Sequence, residues 1–208
     1  MNARANLLAP EAATAIHEEA GVLAEIGHND VFVAIWDRIS PVSSEVVALA
    51  CEQRMAVRTW LDGGSSVVGA LQTLIPGAAF AGLREDLALL SEMVECLFGV
   101  SGVGLRVTAL EKPLCPRFHV DRIPVRMLCT YGGPGSQWLP ADAVSDELLL
   151  PGQDQQGHYP ENRIEQLLAG QVALFKGDTW QDNDGRGVVH RSPPLSPGQQ
   201  RLLVTLDI

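Results

Sequence analysis

Apolar residues recur along this chain at two spacings, and the spacing changes near residue 100. In the first half, "TAIHEEAGVLAEI" carries apolar residues near helical spacing. "LREDLALLSEMVECLFGV" repeats Leu87, Leu90, Val94 and Leu97 at three and four residues, the mark of an amphipathic helix. "SSEVVALACEQRMAVRTWL" predicts one helix, opened by Ser43 or Ser44 and stopped by Gly63-Gly64. "VFVAIWDR" (31–38) is short and rich in β-branched residues, and predicts a strand. The second half shortens its period. "GLRVTAL" (104–110), "PVRMLCTY" (124–131), "QVALFKG" (171–177), "GVVHRS" (187–192) and "RLLVTLDI" (201–208) read as strands. Pro113, Pro124, the run Gly132-Gly133-Pro134-Gly135, Gly177 and Pro193-Pro194 punctuate them. The polar stretch from about 140 to 168 reads as an insertion between strands. Helices first and strands second predict an α+β fold in a single domain, 1–208. Residues 1–100 form its mainly helical part, and 101–208 a sandwich, jelly roll or barrel.

Composition adds limits. The chain has 208 residues, 46% of them hydrophobic, enough for one sizeable core. It carries 25 acidic against 15 basic residues, a formal charge of −10, with no run rich in Lys or Arg. That balance weighs against nucleic acid or an anionic membrane surface as partner. The N-terminus turns acidic where a signal peptide would be apolar, and no apolar run reaches the roughly 18 residues that span a bilayer. The expectation is a soluble, cytoplasmic protein. The four cysteines, Cys51, Cys96, Cys115 and Cys129, form no CxxC pair, so free thiols are expected.

The chemistry concentrates in "PRFHVDR" (116–122). His119 and Asp121 are two apart, so in a strand they project from one face. They either hydrogen-bond each other or wait for a metal. His190, in "RGVVHRSPP", is a further histidine in strand context. Two imidazoles and one carboxylate on one face of an iron leave three positions open for co-substrate and O₂. Arg201 follows eleven positions later, at the start of the last strand. Its planar, bidentate fork suits the distal carboxylate of an oxoacid bound to that iron. Cys115 and Cys129 flank the pair, and inward-turned thiols would instead favour zinc.

From about residue 104 to its end the chain resembles the double-stranded β-helix of 2-oxoglutarate- and Fe(II)-dependent oxygenases, a jelly-roll, cupin-like core. The resemblance rests on "HVD", "VRMLCTY", "AGQVALFKGD", "VVHRSPP" and the Gly198–Arg201 segment before "LLVTL". More narrowly, "CPRFHVDRIPVRMLCTYGGPGSQWLP" and "ALFKGDTWQDNDGRGVVHRSPP" resemble an uncharacterised bacterial family, domain of unknown function 1826 (DUF1826). The wider resemblance implies Fe(II) held by His119, Asp121 and His190, and 2-oxoglutarate held by Arg201. It departs at Leu203, where oxygenases of this kind often place Ser or Thr. Tyr131 or Thr130 then becomes a candidate hydroxyl, and Arg126 and Arg191 compete as carboxylate anchors. Three readings follow. The first is an Fe(II)/2-oxoglutarate oxygenase acting on a small-molecule or protein substrate. The second is a zinc- or other metal-binding cupin-like protein, in metal homeostasis. The third is a metal-free interaction domain. The open sheet edges of such a fold are covered by N-terminal helices or by a partner, as in a homodimer.

Overall fold

A computed structural model describes residues 13–63, 67–183 and 185–208; residues 1–12, 64–66 and 184 lie outside them. In chain order the strands are β1 (Ala13–His17), β2 (Val31–Trp36), β3 (Ala56–Asp62), β4 (Gly102–Leu110), β5 (Val125–Gly132), β6 (Gln137–Trp138), β7 (Glu165–Gln166), β8 (Val172–Lys176), β9 (His190–Arg191) and β10 (Arg201–Asp207). The helices are α1 (Ser44–Glu52), α2 (Val67–Leu74) and α3 (Ala81–Phe98). Among the described residues no helix is long and apolar enough to cross a membrane.

Seven strands form one large sheet in the order β1-β2-β8-β5-β10-β4-β3. Every pairing is antiparallel except β1 with β2. Three strands, β7-β6-β9, form a small second sheet. Side chains alternate across the large sheet. Val103, Leu105, Val107, Met127, Cys129, Tyr131, Val204 and Leu206 share one core cluster with Leu83, Leu87, Leu90 and Val94 of α3. Helix α1 lies against β4, β5 and β10 on that side. On the other side Leu128, Ala173 and Phe175 meet Trp138 of the small sheet, and this is the inner face. The outer side of the small sheet is covered by the 140–168 stretch. Phe118, Leu139 and Val189 pack there against Ala143, Val144 and Leu148. The insertion thus carries an apolar layer of its own.

Three expectations from the sequence are corrected. The segment "TAIHEEAGVLAEI" forms β1 and a 3₁₀ turn over Ala20–Gly27 rather than an α-helix. Its buried residues, Leu23 and Ile26, are three apart, which suits the three-residue turn of a 3₁₀-helix. The single helix expected over 43–61 breaks into α1 and β3. Arg54 adopts a left-handed conformation, φ 50°. Met55 N–H then reaches back to the Ala50 carbonyl and Arg54 N–H to that of Cys51, a Schellman closure. Beyond it "MAVRTWLD" alternates between half-buried and exposed positions, so its period is two. The half expected to be mainly helical therefore supplies three strands of the large sheet, and it also contains α2, which the sequence reading passed over.

Candidate metal centre

His119 and His190 face each other as an isolated antiparallel bridge at the edge of the small sheet. Their backbones exchange two hydrogen bonds, both 3.0 Å. Directly opposed residues project on the same side, so the rings lie 4.5 Å apart between centroids. Asp121 follows two positions on and turns its carboxylate to both. His190 Nε2 lies 3.3 Å from Oδ2, and His119 Nε2 3.7 Å from Oδ1. One ligand atom from each residue lies within 4.8 Å of the others.

The rings are set in one tautomer. His119 Nδ1 lies 2.9 Å from the Arg117 carbonyl, and His190 Nδ1 lies 3.0 Å from that of Val188. A carbonyl only accepts, so each Nδ1 carries the proton. Each Nε2 is thereby directed at Asp121: without a metal it can share a proton with the carboxylate, and loss of that proton frees a lone pair for a metal, the arrangement found in metal-binding imidazoles. Phe175 stands edge-on to His190 at 5.5 Å, with Trp138 edge-on to Phe175 at 5.7 Å behind it. The His190 side chain is 7% exposed and that of His119 33%, so the centre opens on the His119 side.

Arg126 holds the carboxylate. Its Nη1 donates to Asp121 Oδ2 at 2.6 Å, while Nε and Nη2 grip Asp207 at 2.6 and 2.9 Å. Burial works against an anion at Asp121, but the His190 hydrogen bond and the surrounding positive charge outweigh it and bring its pKa down to about 2. Burial, with the neighbouring His190, pushes the His119 pKa below the ordinary imidazole value. Both shifts favour the forms that bind metal: an ionised carboxylate and a neutral imidazole. At Gly177 a Cβ would stand 2.0 Å from the Ile123 carbonyl and 2.7 Å from that of Asp121, so only glycine lets β8 pass this turn.

Arg201 starts β10 on the inner face and is 1% exposed. Nη2 donates to Thr130 Oγ1 at 3.1 Å and to Ser136 Oγ at 2.7 Å, and Nε to Thr130 at 3.3 Å. Nη1 is buried without a hydrogen-bond partner, and no carboxylate pairs with this guanidinium among the described residues. Burial lowers its pKa to about 10. The backbone around it is tight: a Cβ at Gly133, whose φ is +82°, would meet the Gln200 carbonyl at 2.2 Å.

The other candidates fall elsewhere. Tyr131 lies on the helix face of β5, opposite to Thr130, and its hydroxyl donates to Asp86 Oδ2 at 2.5 Å; it is not a group of the inner face. Arg126 is fully engaged by Asp121 and Asp207. Arg191 points to the outer side of the small sheet, 4.4 Å above the Phe118 ring, with Nη1 on the Tyr159 hydroxyl. Cys115 is exposed, and Cys129 is buried on the helix face. Neither joins the ligand group. The sequence reading missed Ser136, which carries no strand signal, and Thr205. The buried Thr205 Oγ1 has no partner and shares the inner face of β10 with Arg201 and Leu203. Alternation along "RLLVTLD" was the available signal for it.

Large and small sheets enclosing the two histidines and the aspartate make this a double-stranded β-helix, a jelly-roll, cupin-like fold. The chain belongs to the family described as protein of unknown function (DUF1826), whose model matches residues 17–207. Among curated proteins none matches it in sequence. Its fold is similar to that of a dioxygenase for auxin oxidation in rice, at 13% identity over 95% of this chain and 82% of that one, TM-score 0.53. It is also similar to dioxygenase for auxin oxidation 1 from Arabidopsis thaliana, whose structure is a binary complex with 2-oxoglutarate. There the identity is 12% over 94% of this chain and 91% of that one, TM-score 0.50.

Proposed function

We propose that this protein is a non-haem Fe(II)- and 2-oxoglutarate-dependent oxygenase. The observation that carries the reading is Arg201. A guanidinium that is buried, has no carboxylate partner and keeps an unpartnered Nη1 is costly to maintain in a fold. A carboxylate ligand would relieve that cost, and the distal carboxylate of an oxoacid is of that type.

His119, Asp121 and His190 would hold the metal, and Arg126 would keep Asp121 ionised and aimed. Arg201 would bind the distal carboxylate, with Thr130 and Ser136 fixing the fork. These two hydroxyls do what a Ser or Thr at position 203 would otherwise do, which accounts for Leu203. Leu128 lies between Arg126 and Thr130 on the same face of β5, giving apolar surface for the methylenes of the oxoacid. Phe175 and Trp138 keep water from the His190 side. When bound, Fe(II) supplies O₂ binding and the oxidative decarboxylation that drives oxidation of a substrate C–H bond. A structural zinc site closes four ligands, whereas the group found among the described residues has three, so the zinc-binding alternative would also leave a position open.

The test is anaerobic titration of Fe(II) and then 2-oxoglutarate into the full-length protein. A weak visible charge-transfer band, followed by succinate on admission of O₂, is expected. Tight binding of stoichiometric zinc with neither band nor succinate would sink the oxygenase reading.

A further inference from the structure

The proposed function leaves the substrate open, and the ground beside His119 bears on it. A cavity of about 330 Å³ runs along the segment that carries His119, lined by Arg117, His119, Arg122, Leu149, Gln155 and Asp178 among others. It borders the metal centre twice. His119 belongs to both, and the Asp178 amide donates to the Asp121 carbonyl at 2.9 Å. It also lies on the more exposed side of the centre.

The far wall of the cavity is tied down. The Gln155 side chain accepts from Phe118 N–H and donates to the Phe118 carbonyl, both at 2.8 Å, like a neighbouring strand. Arg117 Nη2 donates to the Gln153 carbonyl at 2.5 Å. The cavity is therefore largely preformed, and its volume is that of a small-molecule site.

Its charge runs against that of the chain. On a protein of net charge −10, this lining has two guanidinium groups and one carboxylate. Arg117 and Arg122, both exposed, make no ion pair with the described residues; Arg84 and Arg191 make none either, so it is the place of this pair beside the metal ligands that singles it out. Cations flanking the proposed metal ligands, without a carboxylate of their own, are suited to an anionic group on an incoming molecule.

We infer that this cavity receives the substrate, and that the substrate is a small carboxylic acid whose carboxylate is held by Arg117 and Arg122. The inference rests on the oxygenase reading for the word substrate; the binding it requires is testable apart from that reading.

The experiment uses full-length protein with redox-inert Mn(II) and saturating 2-oxoglutarate, so that Arg201 is occupied. Four- to eight-carbon monocarboxylic acids, plain and 2-hydroxy- or 2-amino-substituted, are compared with their primary amides by calorimetry or saturation-transfer NMR. At least one acid should bind ten-fold or more tightly than its amide. The Arg117→Gln/Arg122→Gln protein should lose that preference and bind the acid at least ten-fold more weakly, with Mn(II) and 2-oxoglutarate titrations unchanged. If the acids bind no better than the amides, or the double variant binds the acid as the parent does, the inference is overturned. Should Mn(II) and 2-oxoglutarate fail to bind the parent protein, it is the oxygenase reading that fails. The acid–amide comparison on parent and double variant then still decides the arginine pair.

Discussion

Replacing Arg201 with Met should leave the protein about as stable as the parent and unable to bind 2-oxoglutarate. Burial lowers the pKa of this guanidinium from 12.5 to about 10. At about 1.4 kcal/mol for each pH unit, keeping the cation inside costs about 3 kcal/mol. Met retains most of the apolar stem and removes the charge. Against that gain stand the charge-assisted hydrogen bonds to Thr130 and Ser136, worth about 1.5 kcal/mol each at the lower end of their range. The two terms offset, so the ligand-free variant should keep the parent's denaturation midpoint and m-value to within about 1 kcal/mol. With Mn(II) and 2-oxoglutarate at a hundred times its dissociation constant, the parent should gain about 2.7 kcal/mol from the ligand, and the variant none. A buried cation kept for binding rather than for the fold has this double signature. If the ligand-free variant instead loses more than about 2 kcal/mol, Arg201 is structural. If it still gains stability from 2-oxoglutarate, the anchor lies elsewhere.

Two further perturbations test the geometry. Tyr131→Phe should cost about 1–2 kcal/mol by removing a hydrogen bond to the Asp86 carboxylate. It should leave 2-oxoglutarate affinity within two-fold, since the ring lies across the sheet from Arg201, and a larger loss of affinity would refute that placement. Lys176 donates to the His28 carbonyl and is 1% exposed, and burial lowers its pKa from 10.5 to about 8. Over pH 8 to 10.5 the unfolded chain keeps this proton and the folded one releases it, so the penalty of about 3 kcal/mol present below pH 8 is relieved as pH rises. Lys176→Met should therefore change stability relative to the parent by about that amount across the window. A parent–variant difference that stays constant from pH 8 to 10.5 would show Lys176 to be unshifted.

Much of this architecture is legible in the sequence wherever a segment obeys one period from end to end. "RLLVTLDI", "PVRMLCTY" and "GLRVTAL" became β10, β5 and β4 within two residues of their expected limits. The helix α3 ended where Gly99 takes φ 64°. The break between α1 and β3 falls where the period changes without a glycine or proline to mark it. Arg54 closes α1 in a left-handed conformation that any non-glycine residue adopts only at some cost, so nothing in "CEQRMAV" announces the break.

The site divides in the same way. His-x-Asp is readable because both side chains answer to local alternation, and His190 because it is a lone histidine in a strand. Which face of β5 looks inward is not a local property. Thr130 and Tyr131 are adjacent and both carry hydroxyls, and only the packing of Leu128 under Trp138, against that of Tyr131 under α3, separates them. Arg117 and Arg122 stand in plain view on either side of "FHVD". Their meaning depends on where the fold puts them: it sets them around one cavity beside His119, while Asp121 and Asp207 are taken by Arg126 and Asp86 by Arg38. Which cations lack a carboxylate is a property of three dimensions, and Arg117, Arg122 and Arg201, none of them in an ion pair among the described residues, carry both functional proposals.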